Sequence, residues 1–588
     1  MDEYDLRASL SADGRELVTY SPIRLKPTAI PVSVANPLTP ENIRNDEELF
    51  LAGQRIDQFH NPSLDADPYW DELLKHDPGS ITANTGMGLL DLRNAKFESA
   101  EQHFRKAIDR LTFQYTTTKN AEPLYYLGVA LKAQGKFDEA YKAFYKATWS
   151  QEWKAPGYYS AAEIAASRND FASALNLINR SLDANAYNSH AYSLKTAILR
   201  HLDRSKEALD VVTFALHKTD PLDVHLMAEQ WLITKDTKIA GTLFQTLNTF
   251  PMDAQELASE YSNSGLWSDG VNILEQTIAA SPNKANINPL VYYYLGDFSE
   301  KLGDISKAAD FRRQAALQPA DYVFPFQYEA ITVLRRAIEA NPLDARAPYY
   351  LGNLLFDWQP DEAMAFWEKA GALDPKFPII WRNLAQAYSH KNGDEPRAKA
   401  ISYMEKAVSI GNAHPTHFAE LDRLYKSEGT PVEKRLVLLE QNQKVVVRDD
   451  EALGDLINLK IFVGKTDEAI LLLKSRTFTI AEGSNAFNTG QAWTDVHLVR
   501  GLKLFGIKKY SEALADFQLA LTTPENLRAQ PGRNSRQDQI SYWIGCSYEA
   551  LRQRDKANQS WNEVVPPPVH KQTDPMVVAD VVFSTHLK

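Results

Sequence analysis

The sequence predicts an all-α fold. It would be a right-handed α/α superhelical solenoid of about a dozen helix pairs, with a short N-terminal β-hairpin and an extended C-terminal tail. Three stretches carry this reading. RAPYYLGNLLFDWQPDEAMAFWEKAGALDP, from Arg346 to Pro375, sets Tyr350, Leu351 and Gly352 on one helix; after a polar break, Ala363, Trp367 and Ala370 lie on a second, closed by Pro375. AEPLYYLGVALKAQGKFDEAYKAFYKAT repeats the order with Leu127, Gly128, Gly135, Ala140, Phe144 and Ala147. ITANTGMGLLDLRNAKFESAEQHFRKAI repeats it with Met87, Gly88, Ala100, Phe104 and Ala107. Small residues let two antiparallel helices approach closely, an aromatic fills the groove, and proline starts the next linker.

This order of large apolar residue and glycine, then small, aromatic, small and proline, resembles the tetratricopeptide repeat. The resemblance implies that each unit packs on its neighbours and that the core grows along one axis. Composition agrees with a packed chain, since 44% of the 588 residues are hydrophobic and 24% charged. A net charge of −12 argues against a broad grip on nucleic-acid phosphates. A single cysteine, Cys546, excludes a disulfide framework within the chain and fits a reducing compartment. The acidic start MDEYDLRASL is no secretory signal, and no apolar run is long enough to span a bilayer. A cytoplasmic location without a membrane segment is the expectation.

From the N-terminus, Tyr4 to Tyr20 forms two alternating stretches around Asp13-Gly14, a hairpin signal. Pro22, Pro27, Pro31, Pro37 and Pro40 follow and predict an extended strap. Residues 1–44 are therefore set apart as a hairpin remnant with a proline-rich linker, a disordered leader being the alternative. The solenoid is assigned to residues 45–565, and its first, worn pair to Glu47–His60 and Pro68–His76. A lengthened helix or linker is expected around Arg110–Asn120, where two clear units stand about forty residues apart. Weaker copies are marked by Ala162 and Ala174, Ala208 and Ala215, and Ala258, Gly265 and Pro282. Gly296, Gly303 and Ala308 mark another. Past the organising unit come Trp381, Leu384 and Ala400, then a degenerate pair near Leu421–Leu438, then Ile457, Gly464 and Ala469. Gly501, Ala513 and Phe517, then Gly545, Ala557 and Trp561, close the array. Pro566 to Pro568 stop the last helix, and residues 566–588 are expected to run extended, rich in β-branched residues.

Longer strings carry a narrower resemblance. LYYLGVALKAQGKFDEAYKAFYKATWS, RAPYYLGNLLFDWQPDEAMAFWEKA, FPIIWRNLAQAYSHKNGD and FTIAEGSNAFN are similar to the C-terminal solenoid of a family of unassigned function. In that family a β-sandwich domain reminiscent of carbohydrate-active proteins precedes the repeats. The resemblance runs from about residue 45 onward. It implies that Tyr4–Tyr20 corresponds to the last hairpin of that domain, and it supplies a hint of sugars but no reaction.

No catalytic group stands out. Gly464-Lys465-Thr466 mimics the end of a phosphate loop, but residue 459 is leucine where the motif needs glycine. His414, His417 and Glu420 could share a helical face, yet His414 precedes Pro415, and surface or capping roles are expected in place of a metal. Cys546 has no neighbouring histidine to activate it and reads as a packing residue. No cofactor, metal or catalytic residue is therefore assigned.

Binding candidates come from repeat geometry. Residues of each first helix that face away from its partner line the concave surface of such arrays. Around the organising unit these are Arg346, Tyr349, Asn353, Arg382 and Gln386, guanidinium forks beside tyrosine and amide contacts for a peptide or a sugar. Glu482 and Gly483 lie in a polar loop longer than a repeat turn requires. Tyr542 and Glu549, with Trp543, sit on the last first-helix. The functional expectation is a non-catalytic interaction scaffold whose concave groove takes a protein or peptide, including a β-sandwich domain in cis or in trans. The alternative is part of a carbohydrate-active or sugar-binding assembly.

Overall fold

A computed structural model describes residues 2–24, 35–411, 413–479, 487–529 and 536–564. The backbone divides into two compact units, Met1–Ser160 and Ala161–Lys588. In both, almost all regular structure is helical.

The first unit opens with the hairpin. Strands β1 (Ala8–Ala12) and β2 (Arg15–Tyr20) pair antiparallel, with an irregularity between Leu10 and Ser11. Asp13 and Gly14 both take positive φ, 52° and 74°, as a two-residue primed turn requires. Leu10, Leu17 and Val18 are each 60% exposed, so neither face of the ribbon is covered. The helices follow as α1 (Asp46–Gln58), α2 (Asp67–His76), α3 (Ile81–Arg93), α4 (Phe97–Leu111), α5 (Glu122–Ala133) and α6 (Phe137–Ala147), and the next, α7 (Lys154–Ser167), carries the chain across the division at Ser160. Asn45 caps α1 by accepting from the backbone N–H groups of Glu47 and Glu48, and the acidic first turn faces the positive end of the helix dipole. Helix α4 ends at Leu111, so the extra length expected around Arg110–Asn120 falls in the linker.

The second unit continues with α8 (Phe171–Ala184), α9 (Ser189–His201), α10 (Ser205–Lys218), α11 (Val224–Thr234), α12 (Thr237–Thr249), α13 (Pro251–Asn263), α14 (Trp267–Ala280), α15 (Pro289–Lys301) and α16 (Ile305–Leu317). After an irregular connection come α17 (Glu329–Ala340), α18 (Arg346–Leu355), α19 (Pro360–Leu373), α20 (Pro378–Ser389) and α21 (Asp394–Ser409). The remainder is α22 (Pro415–Ser427), α23 (Val432–Gln441), the short α24 (Gln443–Val446), α25 (Asp450–Phe462), α26 (Thr466–Lys474), α27 (Thr489–Gly506), α28 (Tyr510–Leu519), α29 (Gln537–Ala550) and α30 (Arg554–Asn562). Starts are set by caps and prolines. Asp170, Asn188, Asp223, Asp236 and Asp449 each accept from first-turn backbone N–H groups. Pro251, Pro289, Pro360, Pro378 and Pro415 occupy the first helical turn, where the missing N–H is harmless.

One contact explains why the clear copies are clear. A Cβ on Gly128 would lie 2.6 Å from the Phe144 ring, and one on Gly352 would lie 2.5 Å from Trp367. Gly88 and Phe104, Gly501 and Phe517, and Gly545 and Trp561 repeat the arrangement. The aromatic thus seats on the glycine of its own hairpin, and the helices close over it. In the weaker α15–α16 hairpin, Arg312 takes the aromatic's place against Gly296. Its side chain is buried and pairs with Glu300. Helix α15 is wrapped by neighbours, and Tyr292, Tyr293 and Tyr294 are all buried. Tyr293 donates to Asp344 at 2.7 Å, which ties α15 to the turn before α18.

Gly464 has φ 81° at the turn between α25 and α26, and Lys465 donates to Glu440 at 2.8 Å. The phosphate-loop resemblance is an inter-helix turn. Residues 566–588 lie outside the described residues. Among the described residues, no helix is long and apolar enough to cross a membrane.

Candidate functional site

Helix α18 brings three of the predicted residues, Arg346, Tyr349 and Asn353, into one connected cluster, and α20, the first helix of the next hairpin, carries Arg382 and Gln386. Tyr349 is only 7% exposed. Its ring stands edge-on to Phe377 at 4.9 Å and leans on Tyr350 at 5.3 Å. Its hydroxyl is hydrogen-bonded to the Asn353 side chain, and burial, the larger effect, pushes the phenol's pKa up against that bond. Arg346 lays its guanidinium 4.0 Å over the Phe377 ring and reaches Asp374 at 3.2 Å through Nη2. Its Nη1 is buried without a hydrogen-bond partner.

Asn353 is a junction. Its Oδ1 accepts from Trp367 Nε1 at 3.0 Å and from Asn383 Nδ2 at 3.1 Å, joining the hairpin seal to the next repeat. Arg382 directs its fork at Glu420 on α22, with Nε donating at 2.9 Å and Nη2 closing the second arm. The fork expected to meet a peptide or a sugar is filled by Glu420 from within the chain. Gln386 is half-buried on α20, one turn beyond Arg382.

The remaining candidates lie elsewhere. Tyr542 is 50% exposed on α29, close to Cys546 and to the exposed Glu549. Trp543 turns inward against Phe505 and Phe517. Glu482 and Gly483 lie outside the described residues. His414 caps α22, its Nδ1 meeting Thr416 Oγ1 at 2.7 Å. His417 differs from a surface group: it is 2% exposed, and burial pushes its pKa down to about 4. Glu420, the third member of that group, is engaged by Arg382.

The connection between α16 and α17 is the long insert expected before the organising unit, but its aromatics were not among the candidates. PADYVFPFQY (residues 319–328) stands where a short turn would serve. Val323 is buried and pins it, Tyr322 is 91% exposed at φ 59°, and Phe324 is 70% and Phe326 40% exposed. Asp321 lies close enough to influence both Tyr349 and Tyr350 electrostatically, which places the connection beside the Arg346 cluster. Its length and aromatic density were the signal available in the sequence.

Further along the chain, Arg435 on α23 grips Asp422 on α22 through two hydrogen bonds, at 2.9 and 2.6 Å. Burial, reinforced by Asp422 and Glu451, pushes the neighbouring Asp455 up to about 7, with Arg435 and Arg423 opposing. A carboxyl whose folded value lies above its unfolded value of about 4 stabilises the fold below that value; the contribution is lost as pH rises through 7. Asp455→Asn is therefore expected to raise the urea midpoint at pH 8 and to leave it nearly unchanged at pH 4. Urea titrations from pH 4 to 8 check this, and an equal shift at every pH would refute it.

Comparison with known proteins bears on the repeat fold. Residues 85–152, covering α3 to α6, match the tetratricopeptide repeat family model. The chain carries tetratricopeptide repeats. Among solved structures it is similar to PilF of Pseudomonas aeruginosa, at 17% identity and TM-score 0.31, over 37% of this chain and 97% of that one. It is similar to the Cut9–Hcn1 hetero-tetramer of the APC/C at 12% identity and TM-score 0.27, over 93% and 97% of the two chains. YrrB, described as a tetratricopeptide-repeat protein with an unusual peptide-binding site, aligns at 18% identity and TM-score 0.16 over 41% and 95%.

Proposed function

We propose that the chain is a non-catalytic protein-interaction scaffold and that the first-helix face around Arg346, Tyr349, Asn353, Arg382 and Gln386 receives an extended protein or peptide segment. The observation that carries this reading is the pair Tyr322 and Phe324, large aromatic side chains 91% and 70% exposed on the connection whose Asp321 acts on Tyr349 and Tyr350. Aromatic anchors of this kind dominate the energetics of protein interfaces. The guanidiniums of Arg346 and Arg382 already have acidic partners in the chain. Recognition would thus rest on aromatic packing and amide hydrogen bonds more than on a charged partner. Tyr542 and Glu549 on α29 extend the same kind of surface toward the last repeat.

The test is a peptide-display selection on the full chain, followed by fluorescence-polarisation titration of the selected peptides. The double variant Tyr322→Ser/Phe324→Ser is expected to weaken binding at least roughly tenfold, the loss of one hot-spot contact. Its thermal midpoint should not move, because both side chains are exposed. Unchanged affinity in that variant would exclude this face. Failure to select any peptide, with a glycan-array signal lost in the same variant, would favour the carbohydrate-associated alternative.

A further inference from the structure

Three side chains from three successive first helices meet in the second unit, away from the cluster on α18 and α20. His190 on α9, His225 on α11 and Glu260 on α13 each bring one ligand atom within 4.8 Å of the other two. They follow one another at about one repeat length of sequence, and His190 and Glu260 stand 70 residues apart. His190 and His225 are each the second residue of their helix, whereas Glu260 lies far along α13. The stacking of helices, and not a local motif, assembles the group.

His225 is the informative member. It is 5% exposed, and its Nε2 has no hydrogen-bond partner. That atom faces Glu260 Oε2 at 3.7 Å, while Nδ1 lies 3.7 Å from Asp223 Oδ1. Asp223 is itself fixed, because it caps α11 by accepting from the backbone N–H groups of His225 and Leu226 at 2.9 and 3.0 Å. A carboxylate behind one ring nitrogen sets the tautomer that leaves the other nitrogen as a lone-pair donor. His190 pairs its Nδ1 with Glu260 Oε1. Its side chain is 54% exposed, so the group opens to solvent on that side. Charge points the same way. Glu256 adds to the negative field at His190, and Asp253 lies close to His225. Among the described residues, none of Asp223, Asp253, Glu256 and Glu260 pairs with a lysine or arginine.

We propose that His190, His225 and Glu260 bind one first-row divalent cation of the zinc type, with water at a fourth position on the exposed side of His190. Two imidazoles and one carboxylate are a borderline ligand set that suits Zn²⁺ and its Irving–Williams neighbours better than Ca²⁺ or Mg²⁺. Tetrahedral bonds of about 2.1 Å place donor atoms about 3.4 Å apart. His225 Nε2 and Glu260 Oε2 already stand 3.7 Å apart, close to that value. Asp223 serves as the outer partner that orients His225.

The full chain, stripped with EDTA and exchanged into metal-free buffer, would be titrated with ZnCl₂ by calorimetry and with CoCl₂ by visible absorption. One equivalent of either ion is expected, with the intense d–d bands of four-coordinate Co²⁺. Glu260→Gln and His225→Gln should each remove this binding. Asp223→Asn, which preserves the helix cap, should weaken it about 10- to 100-fold. His414→Ala, the control at the other histidine pair, should change nothing. Absence of uptake by the wild-type chain would overturn the proposal and leave His190 and Glu260 as a simple ion pair. A full equivalent retained by both ligand variants would overturn it equally. Circular dichroism checks folding, and if His225→Gln fails to fold, the more exposed Glu260→Gln decides the question.

Discussion

Replacing Trp367 with alanine is expected to lower the stability of its part of the chain by about 3–5 kcal/mol, the usual loss for a buried tryptophan. Trp367 is 3% exposed, its ring rests on Gly352, and its Nε1 donates to Asn353 at 3.0 Å. The substitution removes the packing of α18 on α19 and deprives Asn353 of one donor. Repeat arrays distribute stability through nearest-neighbour contacts, so the loss should be local. Amide exchange across α17 to α20 should accelerate by roughly 100-fold or more, since each 1.4 kcal/mol is tenfold, while α3 to α6 keep their protection.

The complementary change is Gly352→Ala, whose Cβ would stand 2.5 Å from two atoms of Trp367 and 3.0 Å from the Ala363 carbonyl. Such overpacking costs about 1–3 kcal/mol. If the two residues act as one seal, adding Trp367→Leu to Gly352→Ala should destabilise less than the sum of the single changes, by about 1 kcal/mol or more. Strict additivity in urea titrations would mean that the glycine is required for another reason, such as the approach of α18 to α20.

How much of this was legible beforehand follows from the range of each contact. The glycine and the aromatic that seats on it lie within one hairpin, so their order along the chain announced the fold and the register of its clear copies. In the α15–α16 hairpin Arg312 replaces the aromatic, and Gly296, Gly303 and Ala308 were the signal that remained. Contacts between hairpins left no such trace. Arg382 and Glu420 are 38 residues apart, and their pairing, which turns a predicted ligand fork into an internal bridge, depends on how one repeat is rotated against the next. Tyr349 was readable as a first-helix residue, but whether it faces solvent depends on Phe377, supplied by the following linker. The exposed aromatics of residues 319–328 were visible as an insert of unusual length; that Val323 turns inward while Tyr322 and Phe324 turn outward was not. Periodicity reports the fold because it is local, and it is silent on sites built across repeats.

The same reasoning leads to the charged group that joins α9, α11 and α14, where Arg200→Met should be the most damaging single change of a polar residue. Arg200 donates to Glu229 at 3.1 and 3.3 Å and to Asp269 at 3.1 and 2.8 Å. Tyr261 adds a donor to Glu229 at 2.8 Å, and His201 meets Asp269 at 2.7 Å. The side chains are 15%, 1% and 11% exposed for Arg200, Glu229 and Asp269. Removing one partner of a buried ion pair costs about 3–5 kcal/mol, because the charge left behind has lost its hydration and its counter-ion together. Burial already pushes the Glu229 carboxyl upward against the pull of Arg200. At Asp269 burial acts in the same sense, but hydrogen bonds from His201 and Arg200 outweigh it and hold that carboxyl down at about 2. Without Arg200 both carboxyls rise, and a raised carboxyl stabilises the fold only below its unfolded value, with the contribution fading as pH climbs through the folded one. The deficit of Arg200→Met should therefore be largest near pH 7 and shrink toward pH 4, whereas a loss of packing alone would not depend on pH. Adding Glu229→Gln should recover part of the neutral-pH loss, since an amide needs hydrogen bonds but no counter-charge, and Tyr261 still supplies one. Urea midpoints of the wild-type, single and double variants at pH 4, 5.5 and 7 separate the two accounts.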